Sequence, residues 1–413
     1  MTKDKGTLVP LLRFRGFTDA WVQRKLGEVA EFSKGNGYSK GDLIDKGNPI
    51  ILYGRLYTNY ETLIENVDTF TKMKENSVFS QGGEVIIPSS GETAEDISRA
   101  SVVAKAGIIL GGDLNIVKPD STIYPTFLAI IISNGNQQKE LSKRAQGKSV
   151  VHISNSDLKE VVLKLPSITE QTFIGNFIHT LDDTITLYKR KLDGLKELKK
   201  GYLQQMFPQV RKCVPRVRFA GFSGDWIESK LGEIVERVQG NDGRMDLPTL
   251  TISASRGWLD QRERFSGNIA GKEQENYTLL SRNELSYNKG NSKMAMCGVV
   301  YKLRSHDEAL VPRVYHSFKP TDESDSNFLE YMFASKIPDT ELTKLITSGA
   351  RMDGLLNIGY ESFMGIKIII PLFLEQTVIG NFFRNFDKQI AAQQSKIEKL
   401  QILKSAYLQK MLI

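Results

Sequence analysis

The chain has 413 residues, 40% hydrophobic and 25% charged, with a formal net charge of +7, the composition of an ordinary soluble protein with room for two or more domains. No uncharged apolar run reaches the roughly 18 residues of a membrane span, and the N-terminal MTKDKGTLVPLLRF lacks the apolar core of a signal peptide, so a cytoplasmic location is expected. Cys213 and Cys297 lie far apart and outside any C-x-x-C pair, which excludes a disulfide framework and a cysteine zinc site, while the positive charge permits an anionic partner without requiring one.

The first element is an opening cassette, and it occurs twice. VPLLRFRGFTDAWVQRKLGEVAEFSKGN at residues 9–36 and VPRVRFAGFSGDWIESKLGEIVERVQGN at 214–241 agree at 14 of 28 positions, 205 residues apart. The aromatics around the glycine turns (Phe14, Phe17, Trp21; Phe219, Phe222, Trp226) read as core plugs that anchor the start of a domain. Next comes a variable body, roughly 37–165 and 242–370, in which β-rich runs alternate with Gly, Asn and Ser turns. Glu84–Pro88 and Glu284–Tyr287 are predicted strands, and 127–133 and 328–335 are predicted helices. From Lys118-Pro119 to Lys319-Pro320 the offset is 201 instead of 205, so loops have changed length inside a frame that is kept.

A closing cassette, 166–206 and 371–411, agrees at 18 of 41 positions, again 205 apart. Leu181, Ile185, Tyr188, Leu192, Leu195, Lys199, Tyr202 and Met206 follow a heptad seam, matched by Phe386, Ile390, Gln393, Ile397, Leu400, Lys404, Tyr407 and Met411. Pro166 and Pro371 cannot lie inside a helix, so each helix is expected to start just after them and run about 35 to 40 residues. Such a helix alone would leave an apolar stripe in water. Pairing of the two, antiparallel by an internal pseudo-two-fold, is the economical solution; two helices folded separately onto their own domains is the alternative.

Motifs of catalysis are missing. His152, His179, His306 and His316 are scattered without H-E-x-x-H or H-x-E neighbours. Gln146-Gly147-Lys148-Ser149 resembles the end of a phosphate loop, but Ser142 stands where its first glycine belongs. No G-x-G-x-x-G turn, no G-x-S-x-G elbow and no Asn/Asp-Pro-Pro-aromatic run of an amino-methyltransferase occurs. Binding is expected over catalysis.

Pro166-Ser-Ile-Thr-Glu170-Gln171 with Ile174-Gly175-Asn176-Phe177, repeated as Pro371-Leu-Phe-Leu-Glu375-Gln376 with Ile379-Gly380-Asn381-Phe382, resembles the P-x-x-x-E-Q-x-x-I signature of the specificity subunits of type I restriction-modification enzymes. The lead-in segments 147–158 and 355–363 resemble the close of a target recognition domain. The resemblance implies an α+β fold: two similar mixed α/β target recognition domains joined by two long antiparallel coiled-coil helices in an internal repeat. Recognition domains would occupy 1–165 and 214–370, a central spacer helix 166–213 and a C-terminal spacer helix 371–413. It implies no catalysis by this chain and no bound cofactor. The partners would be double-stranded DNA, two methyltransferase subunits using S-adenosylmethionine, and two restriction subunits using ATP and magnesium, with no membrane. Each domain would read one half of a gapped asymmetric site in the major groove. A bivalent protein-binding scaffold without nucleic-acid affinity is the rival reading.

On that expectation, DNA contacts in the first body fall to Lys34, Asn36, Tyr38, Ser39 and Lys40; to Tyr53, Arg55 and Tyr57; and to Lys143, Arg144, Gln146 and Lys148. In the second body they fall to Asn241 and Arg244; Ser253, Ser255, Arg256 and Trp258; Lys289, Asn291, Ser292 and Lys293; and Arg313 and Arg351. Arg and Lys suit guanine edges or phosphates, and Asn and Gln suit adenine. Each of these residues alone reads equally as a solvated loop side chain. Glu170, Gln171, Asn176 and Asp182, with Glu375, Gln376, Asn381 and Asp387, are shared by both cassettes but lie off the seam. They are expected to cap the helix start or dock the methyltransferase subunits.

Overall fold

The computed structural model describes residues 9–145, 147, 150–265, 271–290, 295–346 and 355–413. They form two units, one of residues 1–189 with 395–413 and one of 190–394.

In the first unit, described residues form a five-stranded sheet in the order Ala30–Lys34, Leu114–Pro119, Glu84–Pro88, Ser101–Val103, Leu63–Ile64. Glu84–Pro88 is buried along its whole length, as its Val-Ile-Ile centre requires. The buried Glu84 carboxylate accepts the Gly82 amide at 2.9 Å and also that of Gln81, which satisfies its charge. A second five-stranded sheet runs Leu43–Ile44, Phe70–Thr71, Asn48–Ile51, Ala106–Leu110, Phe79–Gln81. Helix Pro125–Ile132 is buried and packs on the first sheet. Trp21, Leu26, Val85 and Phe127 belong to the core, together with Ile174, Ile178 and Met411 from the long helices and Leu412 just beyond the second.

The second unit repeats the scheme with another interior. A four-stranded sheet runs Val235–Val238, His316–Pro320, Leu285–Asn288, Val299–Lys302. Helix Ser326–Ala334 packs against it. Two antiparallel pairs, the hairpin Leu250–Ser253 with Gly257–Asp260 and the more distant Thr278–Ser281 with Glu308–Val311, enclose a smaller core.

The shared frame is a set of matched registers. Val22 pairs with Leu165 and Ile227 with Ile370, so the first strand within each opening cassette is zipped antiparallel to the strand that ends just before each proline. Likewise Ala30 pairs with Pro119 and Val235 with Pro320, which keeps the pairing despite the four-residue change of offset.

The long helices are Ile168–Gln205 and Phe373–Met411, each beginning two residues after its proline. Their seam residues are buried or half-buried. In the first unit Phe177 packs on Tyr407 at 4.9 Å and the Lys396 ammonium lies 4.2 Å from the Tyr188 ring. In the second Tyr202 packs on Phe382 at 5.2 Å and on Phe386 at 5.9 Å. Within each unit the helices run antiparallel. Apolar seam residues on two paired helices bury each other's stripe, which no lone helix does. Phe14 and Phe17 lie against Phe173, and Phe219 against Phe382, whereas Trp21 and Trp226 enter the body cores beside Phe127 and Phe328. The opening aromatics therefore divide their anchoring between helix and body.

Candidate nucleic-acid interface

In the first body the strand Ala30–Lys34 emerges into the loop of Asn36 to Lys40. The Asn36 amide nitrogen bonds the Leu110 carbonyl at 3.1 Å and the Gly111 amide the Ile51 carbonyl at 2.9 Å, so this loop and the turn carrying Tyr53 and Tyr57 meet along one backbone seam. A Cβ on Gly35 would stand 1.9 Å from the Gly111 carbonyl oxygen, which explains the glycine there.

Two of the three predicted clusters are thus adjacent. The third sits on helix Gly135–Arg144, where the Ser142 hydroxyl meets that of Ser98 at 2.9 Å. Gln146 and Lys148 lie outside the described residues.

These side chains differ in what they can offer a ligand. Lys34, Lys40, Tyr53 and Lys143 are exposed. Asn36 is exposed and donates to the Asn76 carbonyl at 3.0 Å. Tyr38 is buried, and its hydroxyl lies 2.5 Å from that of Ser77 under the Lys74 ammonium; it is a brace, not a reader. Ser39 caps the turn Lys40–Asp42, bonding Asp42. Lys74, then the Ser39 amide and hydroxyl, hold the Asp42 carboxyl down at about 2.

Arg55 is 10% exposed and is claimed by Asp68 and Glu61 at 2.7 Å each. Tyr57 donates to the Ser90 carbonyl at 2.6 Å, and burial, then Asp96, raises its phenol and keeps it protonated. Arg144 bonds Glu140 at 3.0 Å.

In the second body the same sorting applies. Arg244 reaches Glu308 and Asp242 at 2.7 Å each, and these two, in that order, raise its proton affinity; Asn241 donates to the Arg244 carbonyl. Ser253, Ser255 and Arg256 occupy the tip of the 250–260 hairpin, with Ser255 and Arg256 exposed.

Three side chains hold the hairpin from below. Asn288 and Arg264 donate to the Ile252 carbonyl at 3.1 Å each, and Tyr301 to that of Ala254 at 3.0 Å. Trp258 packs half-buried on Tyr315 at 6.4 Å. Lys289 donates to the Ile358 carbonyl at 3.3 Å, and Arg313 is exposed. Asn291, Ser292, Lys293 and Arg351 lie outside the described residues. Among the described residues no group of three or more His, Cys, Asp and Glu side chains converges as a metal site, and no helix is long and apolar enough to cross a membrane.

The model of the type I restriction modification DNA specificity domain family matches residues 18–197. A type I restriction enzyme specificity subunit of Methanocaldococcus jannaschii, MjaVIII, is 19% identical over 84% of this chain and 82% of its own length. Residues 18–197 carry a type I restriction-modification specificity domain. The S subunit of a type I restriction-modification system from M. genitalium shares the fold at a TM-score of 0.61, with 14% identity, covering 98% of this chain and 99% of that one.

Of the residues shared by the closing cassettes, the glutamates and glutamines turn inward. Glu170 and Glu375, each 1% exposed, receive bidentate pairs from Arg13 and Arg218 of the opening cassettes, at 2.6 to 2.8 Å. Gln171 accepts the Tyr124 amide and donates to the Thr122 and Pro166 carbonyls, all at 3.0 Å. Gln376 repeats this with Asp325, Glu323 and Pro371 at 3.1, 3.0 and 2.9 Å.

These four residues brace the helix start and leave no side-chain surface for a partner, which corrects their reading as docking contacts. Asp182 and Asp387 are also engaged, with Lys404 and Lys199 respectively. Asn381 is exposed, and exposed Asn176 accepts the Tyr124 hydroxyl at 2.9 Å.

The arginine and lysine partners were missed from sequence, although their signal was there. Arg13 with Arg218 and Lys199 with Lys404 are identical across the 205-residue frame.

Proposed function

We propose that this chain is the non-catalytic DNA sequence-recognition subunit of a type I restriction-modification complex. The bodies within 1–165 and 214–370 each read one half of a gapped, asymmetric site in the major groove. The helices within 166–213 and 371–413 set the gap and dock two methyltransferase subunits. S-adenosylmethionine, ATP and magnesium belong to those subunits and to two restriction subunits, and the complex works in the cytoplasm. The observation that carries the reading is the matched frame around unlike interiors, because identical braces present two different loop surfaces and two different words require two different surfaces.

In the first body exposed Lys34, Asn36, Lys40, Tyr53 and Lys143 are the contacts favoured, and in the second Ser255, Arg256 and Arg313. Arg55, Arg144 and Arg244 hold loop shape through their carboxylates.

Methylation profiling of DNA exposed to the chain assembled with its methyltransferase subunit tests the reading. One gapped motif with unlike halves is expected, with binding that weakens steeply with salt. Sequence-indifferent methylation, or bodies that bind protein and no DNA, would overturn it.

A further inference from the structure

The seams of the long helices contain one lysine at equivalent places, Lys199 and Lys404. A cation in an apolar seam lowers pairing stability, and a polar seam residue is the known device for specifying register. Both lysines are about one-fifth exposed, and both end on an aspartate of the opposite helix. Lys404 Nζ lies 2.5 Å from Asp182 Oδ1 in the first unit, and Lys199 Nζ lies 2.5 Å from Asp387 Oδ1 in the second. Each aspartate also binds its own body through its other oxygen. Asp182 Oδ2 accepts from the Thr62 hydroxyl at 3.3 Å, beside strand Leu63–Ile64, and Asp387 Oδ2 accepts from the Tyr331 hydroxyl at 2.5 Å, on helix Ser326–Ala334. Body, own helix and opposite helix thus meet at a single carboxylate, twice.

The residue numbers of each ion pair add to 586, which is one and the same antiparallel register. A slip of one heptad keeps apolar residues opposite apolar residues, so packing alone opposes it weakly. In that slip Lys404 would face Gly175 or Lys189, and Lys199 would face Gly380 or Gln394. Slips of three or four residues would set Lys404 against Ile178, His179, Ile185 or Thr186, and Lys199 against Phe383, Arg384, Ile390 or Ala391. Every one of these alternatives leaves both lysines without a carboxylate in a half-buried seam, where an uncompensated charge is costly.

We infer that Asp182 with Lys404 and Asp387 with Lys199 are register locks, positioning residues that determine which gap length the subunit accepts and leave the half-site words to the loops. The inference rests on the DNA-reading function proposed above.

The test is a chain carrying Lys199→Met and Lys404→Met, assembled with its methyltransferase subunits. It is assayed on DNAs whose two half-sites are fixed and whose gap is one base pair shorter, native or one longer. Methionine suits the seam, and Asp182 and Asp387 keep the Thr62 and Tyr331 hydroxyls, so the variant assembles. Its preference for the native gap falls about fivefold, the factor that corresponds to about 1 kcal/mol for a half-exposed ion pair, while both half-site words stay unchanged. An ion pair that only held the fold together would lower the melting temperature and leave the gap profile alone, and that result overturns the inference.

Charge-exchanged chains (Asp182→Lys with Lys404→Asp, Asp387→Lys with Lys199→Asp) restore the narrow gap profile; if they behave like the methionine variant, the inference also fails. A wild-type complex with no gapped motif at all would sink the functional reading itself, whereas a wild-type gap preference that the variant retains sinks this inference alone.

Discussion

His316 is buried between Tyr287 and Phe363, with its Nε2 donating to the Ile358 carbonyl at 2.9 Å. Burial, the largest influence, lowers its proton affinity below the usual 6.5 despite that bond, and Lys289 and Arg237 push the same way. The unfolded chain then binds a proton near pH 6.5 that the folded chain refuses. Stability is therefore complete above 6.5 and is lost as pH falls through the lower folded value. Urea melts of the chain at pH 7.5 and 5.5 should show that loss in the second unit, and His316→Gln should shrink the difference; an unchanged difference means the histidine does not carry it. Residue chemistry was only partly legible in the sequence. The abundance of Arg and Lys in the loops was visible, but which of them are spent was not, because Arg244 meets Glu308 and Arg13 meets Glu170, 64 and 157 residues away. Tyr38, expected among the DNA contacts, is a buried strut for the same reason: its partner Ser77 lies 39 residues on.

At the scale of elements, the docking of the long helices depends on glycine. A Cβ on Gly380 would lie 2.7 Å from an Asp325 carboxylate oxygen, 2.8 Å from the Asn327 Cβ and 2.9 Å from the Phe328 amide nitrogen, whereas a Cβ on Gly194 meets nothing within 4 Å. The same substitution should thus have opposite signs. Gly194→Ala should stabilise by up to about 1 kcal/mol through helix propensity, while Gly380→Ala should destabilise by about 1–2 kcal/mol, overpacking outweighing propensity. Denaturant midpoints of the two variants decide, and equal shifts would show that the helix start does not press on the body. The long helices were the most legible elements, since a heptad seam bounded by prolines needs no distant partner to be recognised. The bodies were legible where a run was wholly apolar, as at Val85 to Ile87. Two-residue strands such as Leu63–Ile64 or Phe70–Thr71 carry too few side chains to show a period; they exist because distant strands offer them backbone partners.

At the scale of the molecule, the proposed spacer makes a length prediction. Four residues inserted in register into each long helix, after Lys189 and after Gln394, add about 6 Å of helix, close to two base pairs of DNA at about 3.4 Å each. Methylation profiling should return a motif with both halves unchanged and a longer gap; altered half-sites with the old gap would contradict it. The division of the chain into units has another consequence, for the order in which the protein is made. The second unit is one unbroken stretch, 190–394, but the first is finished by 395–413, whose Met411 and Leu412 fill its core and whose Lys410 carbonyl accepts the Leu12 amide. At about 5–20 residues per second, the ribosome needs on the order of 10–40 seconds to travel from the end of the first piece to that last segment. For all of that time the body translated first waits with an open hydrophobic socket, and the body translated second is the first that can close.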